Sequence, residues 1–203
     1  MHNTLLNQNA YPELCLQLLN TLNRYLPHHL TYHTINHTID VANVCNNYIE
    51  YYKIDEANAK LIRIAAVGHD LGYIISPENH EERGINALAQ LVPKILNPQE
   101  ITMVNGMIRA TKIPQHPKTF FEEIIADADL DYLGRDDYDQ LSSELLKEFQ
   151  YYNLIRNEEE WLEVQIKFLE QHSFNTSFAK EFRAPLKQEK LEGLKLKRDF
   201  FKK

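Results

Sequence analysis

The segment AKLIRIAAVGHDLGYII, residues 59–75, decides how this chain folds. Apolar residues occupy nearly every side of it, the signature of a helix buried all round rather than one with a single apolar stripe. The pattern predicts a central helix over about 55–73. It stops near Ser76-Pro77, because the residue before a proline disfavours the helical backbone region.

The flanking sequence is also helical in period. Leu14, Leu18, Leu22 and Leu26 recur at four-residue spacing beside Leu19. Val41, Val44, Tyr48 and Tyr52 form a second stripe with Cys45 and Ile49. Further helices are expected at about 79–91, 98–111, 118–132, 135–152, 158–172 and 177–200, with short irregular pieces at 27–32, 76–78 and 113–117. No useful length alternates apolar and polar in the manner of a strand, and Asn105-Gly106 lies inside a helical stretch instead of a hairpin. Repeats, low-complexity tracts and long linkers are absent. The expectation is an all-α fold: a single helical bundle over 1–203, with the motifs in about 32–134 and helices of 158–203 packing on them.

Composition narrows the class. In 203 residues, 6 glycines and 8 prolines are too few for a turn-dense β-sandwich or barrel. With 43% hydrophobic and 25% charged residues the chain suits a globular protein, and no apolar run approaches the roughly 18 residues of a membrane span. The N-terminus lacks the basic and apolar regions of a secretory signal. Cys15 and Cys45 read as buried thiols of a cytoplasmic protein. The net charge is −7, unevenly spread. From Lys180 onward there are 9 basic and 4 acidic residues, leaving 13 basic against 25 acidic in the rest. So acidic a body does not suit long nucleic acid, and could take a phosphate only if something else supplied positive charge.

Nine histidines are present. His2, His28, His29 and His172 read as solvated loop or terminal residues. The informative ones lie in Tyr32-His33-Thr34-Ile35-Asn36-His37 and in Gly68-His69-Asp70-Leu71-Gly72, to which Ala126-Asp127-Ala128-Asp129-Leu130 adds carboxylates. His69 shares a helical face with Ile62, Ala65 and Ala66, and Asp70 sits above Ala66 and Val67. An ionised carboxylate there costs many kcal/mol unless it is paired, protonated or bound to a metal. His37 leads the inward stripe of 41, 44 and 48, and Asp129 is set among Ile124, Ile125, Leu130 and Leu133. Each group alone is more often a satisfied core residue than a ligand. Together, two nitrogens and two oxygens from three helices suit a divalent ion such as Mn, Fe, Zn, Co, Ni or Mg.

On these residues the sequence resembles the HD-domain superfamily of metal-dependent phosphohydrolases: a histidine, a His-Asp pair, and a distant aspartate in a helical bundle. The resemblance runs from about residue 32 to 186. It implies His37, His69, Asp70 and Asp129 as metal ligands. YHTINHTIDV is also similar to a segment of cyclic-nucleotide phosphodiesterases, with Thr34 where that motif has asparagine, and this implies His33 as the acid that protonates the leaving group. DADLDYLG and FLEQHSFNTSFAKEFRAPL resemble uncharacterised bacterial HD phosphohydrolases.

Secondary candidates surround these residues. Asp70 or Glu82 would take the proton of an attacking water. His80, Arg83, Lys112 and His116 are candidate substrate contacts, though a capped, solvated acidic helix start at Asn79-His80-Glu81-Glu82 explains the first two as well. Asp127 is a candidate partner for a ligand histidine, or an alternative ligand to Asp129. The expected function is metal-dependent hydrolysis of a phosphate ester of a nucleotide or similar small metabolite, monoester or diester. The expected partners are that substrate and a further copy in a homo-oligomer, without membrane or stable nucleic-acid binding. Two other readings are a regulatory module that binds metal and nucleotide without turnover, and an interaction protein docking through Lys195, Lys197, Arg198, Lys202 and Lys203.

Overall fold

A computed structural model describes residues 4 to 201, which are helical with no strand among them. The chain divides into two compact units, Met1–Asp129 and Leu130–Lys203. The first contains α1 (Glu13–Tyr25), α2 (Ile35–Tyr51), α3 (Glu56–Gly68), α4 (His80–Leu88), α5 (Pro98–Ala110) and α6 (Phe120–Asp129). The second contains α7 (Tyr138–Tyr151), α8 (Glu158–Gln171), α9 (Ser177–Phe182) and α10 (Ala184–Phe201). Among the described residues no helix is long and apolar enough to cross a membrane.

In the first unit α3 is the central element, packed by α1, α2, α5 and α6. Asp55 caps its start by accepting from the Asn58 N–H at 3.0 Å. Every residue from Leu61 to Gly68 is buried, as the all-round apolar pattern requires. Each buried leucine, isoleucine or valine contributes about 1.5–3 kcal/mol.

The structure shortens this helix relative to the sequence expectation. It ends at Gly68, His69 caps it, and Asp70 leaves the helical region at φ −98°, ψ 8° before a 3-10 turn over Leu71–Ile74. Glycines let the chain close on itself here. A Cβ on Gly72 would lie 1.9 Å from the His80 carbonyl oxygen, and one on Gly84 would lie 3.2 Å from the Gly72 nitrogen. No side chain fits at Gly72, so α4 lies directly against the turn that carries Asp70.

In the second unit the expected helix over 177–200 is two helices, broken at Arg183 (φ −119°, ψ −37°). The cause is Pro185, which in a continuous helix would clash with the Glu181 carbonyl and donate no hydrogen bond to it. Asp131, almost fully buried, accepts from Arg183 Nε at 2.7 Å and lies 3.5 Å from Arg135 Nη1. The C-terminal cations are largely paired: Lys190 with Asp139, Lys195 with Glu170 and Glu192, and Arg198 with Asp199. His2, Lys202 and Lys203 lie outside the described residues.

His172 departs from expectation. It is largely buried, its ring stacked on Phe168 and edge-on to Phe174, and neither ring nitrogen has a hydrogen-bond partner. Burial first, then the Lys187 charge, pulls its pKa down to about 4. Cys15 and Cys45 are buried thiols outside any disulfide, and burial pushes Cys15 up to about 12.

Candidate metal centre

Three elements of the first unit bring four donor atoms together. His37 projects from the first turn of α2, His69 and Asp70 from the end of α3, and Asp129 from the last position of α6. The Nε2 atoms of His37 and His69 are 3.3 Å apart. Asp129 Oδ1 lies 3.1 Å from the first and 3.5 Å from the second. Asp70 Oδ2 lies 3.6 Å and 3.3 Å from the same two atoms. His69 is fully buried, His37 and Asp70 nearly so, and the Asp129 side chain is 15% exposed.

The end of α3 explains how adjacent residues serve one point. On a continuous helix their side chains diverge by about 100°. The turn at Asp70 brings both to the same place. His69 Nδ1 is 2.8 Å from the Ala66 carbonyl oxygen, an acceptor only, so Nδ1 carries a proton and Nε2 is the atom that faces the cluster, where it would meet an ion on losing its own proton.

The set fits a divalent ion on three counts. His37, His69 and Asp70 offer buried ligand atoms within 4.8 Å of one another. Two donors each about 2.1 Å from one ion stand roughly 3.0 Å apart at a right angle and 3.4 Å apart at a tetrahedral angle. The five spacings above run from 3.1 to 3.6 Å. Finally, Asp70 Oδ2 is buried without a hydrogen-bond partner, an arrangement that costs stability unless a cation meets it.

The electrostatics agree. Burial opposes a charge on His69, yet Asp70 and then Asp129 outweigh it and hold the imidazolium well above its usual range. Burial likewise opposes ionisation of Asp70, but His69, and after it His33 and His37, carry that carboxyl well below the ordinary range. Hydrogen bonds from His37 and His69 overcome burial at Asp129 in the same direction. Two carboxylates therefore stay ionised in a largely buried pocket and demand positive charge.

Beside this cluster the other oxygen of Asp70 faces a second group. His80 Nε2 is 3.5 Å from Asp70 Oδ1 and 3.6 Å from Glu81 Oε1. His33 Nε2 is 3.0 Å from the Tyr73 hydroxyl, and the Tyr73 ring stacks on His33 and lies tilted on His80. The structure thus brings His33 and His80 beside the four donors.

The remaining candidates lie otherwise. Glu82 is half-exposed and held by Arg109, Nε to Oε1 at 2.5 Å and Nη2 to Oε2 at 2.9 Å, which keeps its carboxyl below the usual range. The buried carboxylate of that turn is its neighbour Glu81. Glu81 was legible: it leads Ile85 and Leu88 at i+4 and i+7 on the inward face of α4. Asn79 does not cap α4; it sits in the left-handed region at φ 51° and accepts from Lys112 Nζ. Arg83 Nε donates to the Glu78 carbonyl at 2.8 Å, and His116 is exposed in the loop before α6. Asp127 is fully buried but stands about 200° around α6 from Asp129, so the two carboxylates leave the helix on nearly opposite sides.

Neither a curated protein nor a solved structure matches this chain. The family profile described as HD domain matches residues 34–191. That span covers well over half of the sequence and encloses His37, His69, Asp70 and Asp129, and the chain belongs to the HD domain family.

Proposed function

We propose that this protein is a phosphohydrolase that cleaves a phosphate ester of a nucleotide or similar small metabolite, with a divalent ion held by His37, His69, Asp70 and Asp129. The observation that carries the reading is the convergence of those four donors at ligand-like spacing inside a buried pocket. When bound, such an ion acidifies water and offsets charge on the phosphoryl group.

The chain's own residues supply the rest. Asp70 spans both groups: Oδ2 faces the histidine pair, and Oδ1, beside His80, is placed to receive the proton of the attacking water. His33, beside His37 with ring centroids 5.9 Å apart, protonates the leaving oxygen, a task suited to imidazole near neutral pH. His80 is the nearest candidate contact for the phosphoryl group. Arg83 and Lys112 serve their own neighbours and make weaker claims on it, as does His116 in its loop. Glu82, tied to Arg109, is not assigned the base role. The acidic body is then no obstacle to an anionic substrate, because the substrate meets a cation inside it.

The test is a panel of nucleoside monophosphates, triphosphates and cyclic nucleotides against protein loaded in turn with Mn, Fe, Zn, Co, Ni and Mg. Release of phosphate or opening of a cyclic ester by the parent, abolished in Asp70→Ala with the fold retained, is the expected result. Undiminished turnover in that variant overturns the mechanism, and binding without turnover across the panel assigns the chain to regulation instead.

A further inference from the structure

We infer that a cavity between α1 and α2 is the pocket for a nucleobase, so that the ester cleaved at the metal centre is a nucleoside phosphate. The inference rests on the phosphohydrolase reading for the phosphate end of that substrate. It assigns the other end to residues that neither the sequence motifs nor the family match single out.

The cavity has a volume of about 180 Å³ and is lined from the last turn of α1, through the loop that follows, to the first turn of α2. A whole drug-sized ligand takes roughly 300–1,000 Å³, so this one suits a single ring system of a larger molecule. Its apolar walls are Leu22, Leu26, Pro27, Leu30 and Ile35, and Leu22 and Leu30 among them belong to the buried core. No Asp, Glu, Lys or Arg is among its lining residues. Such walls favour a neutral group with apolar faces and reject an ionised one, whose charge would meet no partner there.

Three polar side chains are in the lining and have bonds to spare. Thr34 stands at the N-cap of α2, yet its hydroxyl makes no capping hydrogen bond. Asn23 and His28 are exposed, and among the described residues neither side chain is engaged in a hydrogen bond. An amide, a hydroxyl and an imidazole together offer both donors and acceptors to the edge of a guest. A flat ring with apolar faces, no charge and a hydrogen-bonding edge is a purine or a pyrimidine.

Position ties the cavity to the metal centre. His33 lines the cavity, and its ring centroid is 5.9 Å from that of His37. Ile35 precedes His37 by two residues of α2, about 3 Å along the helix axis. A substrate with its phosphoryl group at the four donors passes its sugar beside His33 and sets its base in the cavity. Contacts to the base are unchanged while the bond at phosphorus breaks. They therefore stabilise ground state and transition state alike and show in KM rather than in kcat.

The experiment uses the metal-loaded protein and compares adenosine and uridine 5′-phosphates with ribose 5-phosphate, which keeps phosphoryl group and sugar and lacks the base. For the parent, kcat/KM should favour the better nucleotide by at least about tenfold, mainly through KM. Leu26→Trp, which fills the cavity, should cut that preference by about tenfold or more. Thr34→Val, of similar size without the hydroxyl, should cut it by about two- to tenfold. A readout without turnover accompanies these. On titration with adenosine or uridine, which carry no phosphate, the methyl signals of Leu22, Leu26, Leu30 and Ile35 should shift in 1H–13C spectra. Those of Leu88 and Val92, in the same unit, should stay in place. Equal kcat/KM for nucleotides and ribose 5-phosphate, an undiminished preference in folded Leu26→Trp, or absence of the methyl shifts overturns the assignment. Should Leu26→Trp fail to fold, Thr34→Val and the titration decide by the same criteria. Failure of the parent to cleave any ester overturns the phosphohydrolase reading instead, and the nucleoside titration then judges the cavity alone.

Discussion

Replacing Gly72 with alanine adds one carbon where the chain has no room for it. That Cβ would lie 1.9 Å from the His80 carbonyl oxygen, 2.6 Å from its carbon and 2.8 Å from its α-carbon. Ordinary van der Waals contact begins at 3.4 Å, so the start of α4 must retreat by roughly 1.5 Å. All three atoms belong to the backbone and cannot swing aside as a side-chain tip would. Overpacking costs about 1–3 kcal/mol where side chains can adjust, so we place this change at about 3 kcal/mol. For a chain of this size that lowers Tm by roughly 6–12 °C. The same retreat carries His80 away from Asp70 Oδ1, now 3.5 Å off, and should weaken metal retention. Gly193 is the control. It lies exposed in α10 with nothing within 4 Å of its added Cβ, so Gly193→Ala should stabilise by about 0.5–1 kcal/mol. Calorimetry of both variants, with metal content measured on each, decides the matter. A Gly72→Ala protein that melts within about 2 °C of the parent would refute the reasoning.

Other perturbations test other parts of the account. Arg183→Met strips buried Asp131 of its 2.7 Å partner and should cost about 3–5 kcal/mol in denaturant titrations, whereas Arg183→Met with Asp131→Leu should recover most of the loss. His172→Leu removes two buried nitrogens that have no partner and should stabilise by about 1–3 kcal/mol at neutral pH. The same histidine sets an acid sensitivity. Its folded pKa of about 4 lies below the ordinary 6.5, so the unfolded chain gains the proton first. Stability therefore falls as pH drops from 6.5 and levels off below 4, by up to about 3 kcal/mol in all. Melting curves of parent and His172→Leu across that window should differ in slope; parallel curves would remove His172 as the cause.

Much of the site was legible because it rests on periodicity. His37 heads the stripe of Val41, Val44 and Tyr48, His69 follows Ile62 and Ala65, and all of these are buried. Inward direction could be read from spacing, and a buried acid beside a buried base implied a shared cation. The end of α3 was not legible. Its cause is the approach of His80 to Gly72, a contact that appears only when α4 folds back. Glu81, not Glu82, was legible as the inward carboxylate, because it leads Ile85 and Leu88 on one face of α4, and their different partners, His80 and Arg109, bear out the distinction. Tyr73 carries no signal for its bond to His33, since the two meet across 40 residues of chain. The burial of His172 was equally hidden, because Phe168 and Phe174 enclose it only once the chain turns after α8.

The most direct test of the central claim is the metal content of purified protein. Parent and Asp70→Asn, which is the same size and only loses charge, are exposed to a mixture of divalent ions, freed of unbound metal and analysed for each element. The account predicts at least about one tightly held ion per chain in the parent and essentially none in Asp70→Asn, with both chains melting as folded proteins. Equal metal content in the two, or a parent that retains no ion, would contradict it.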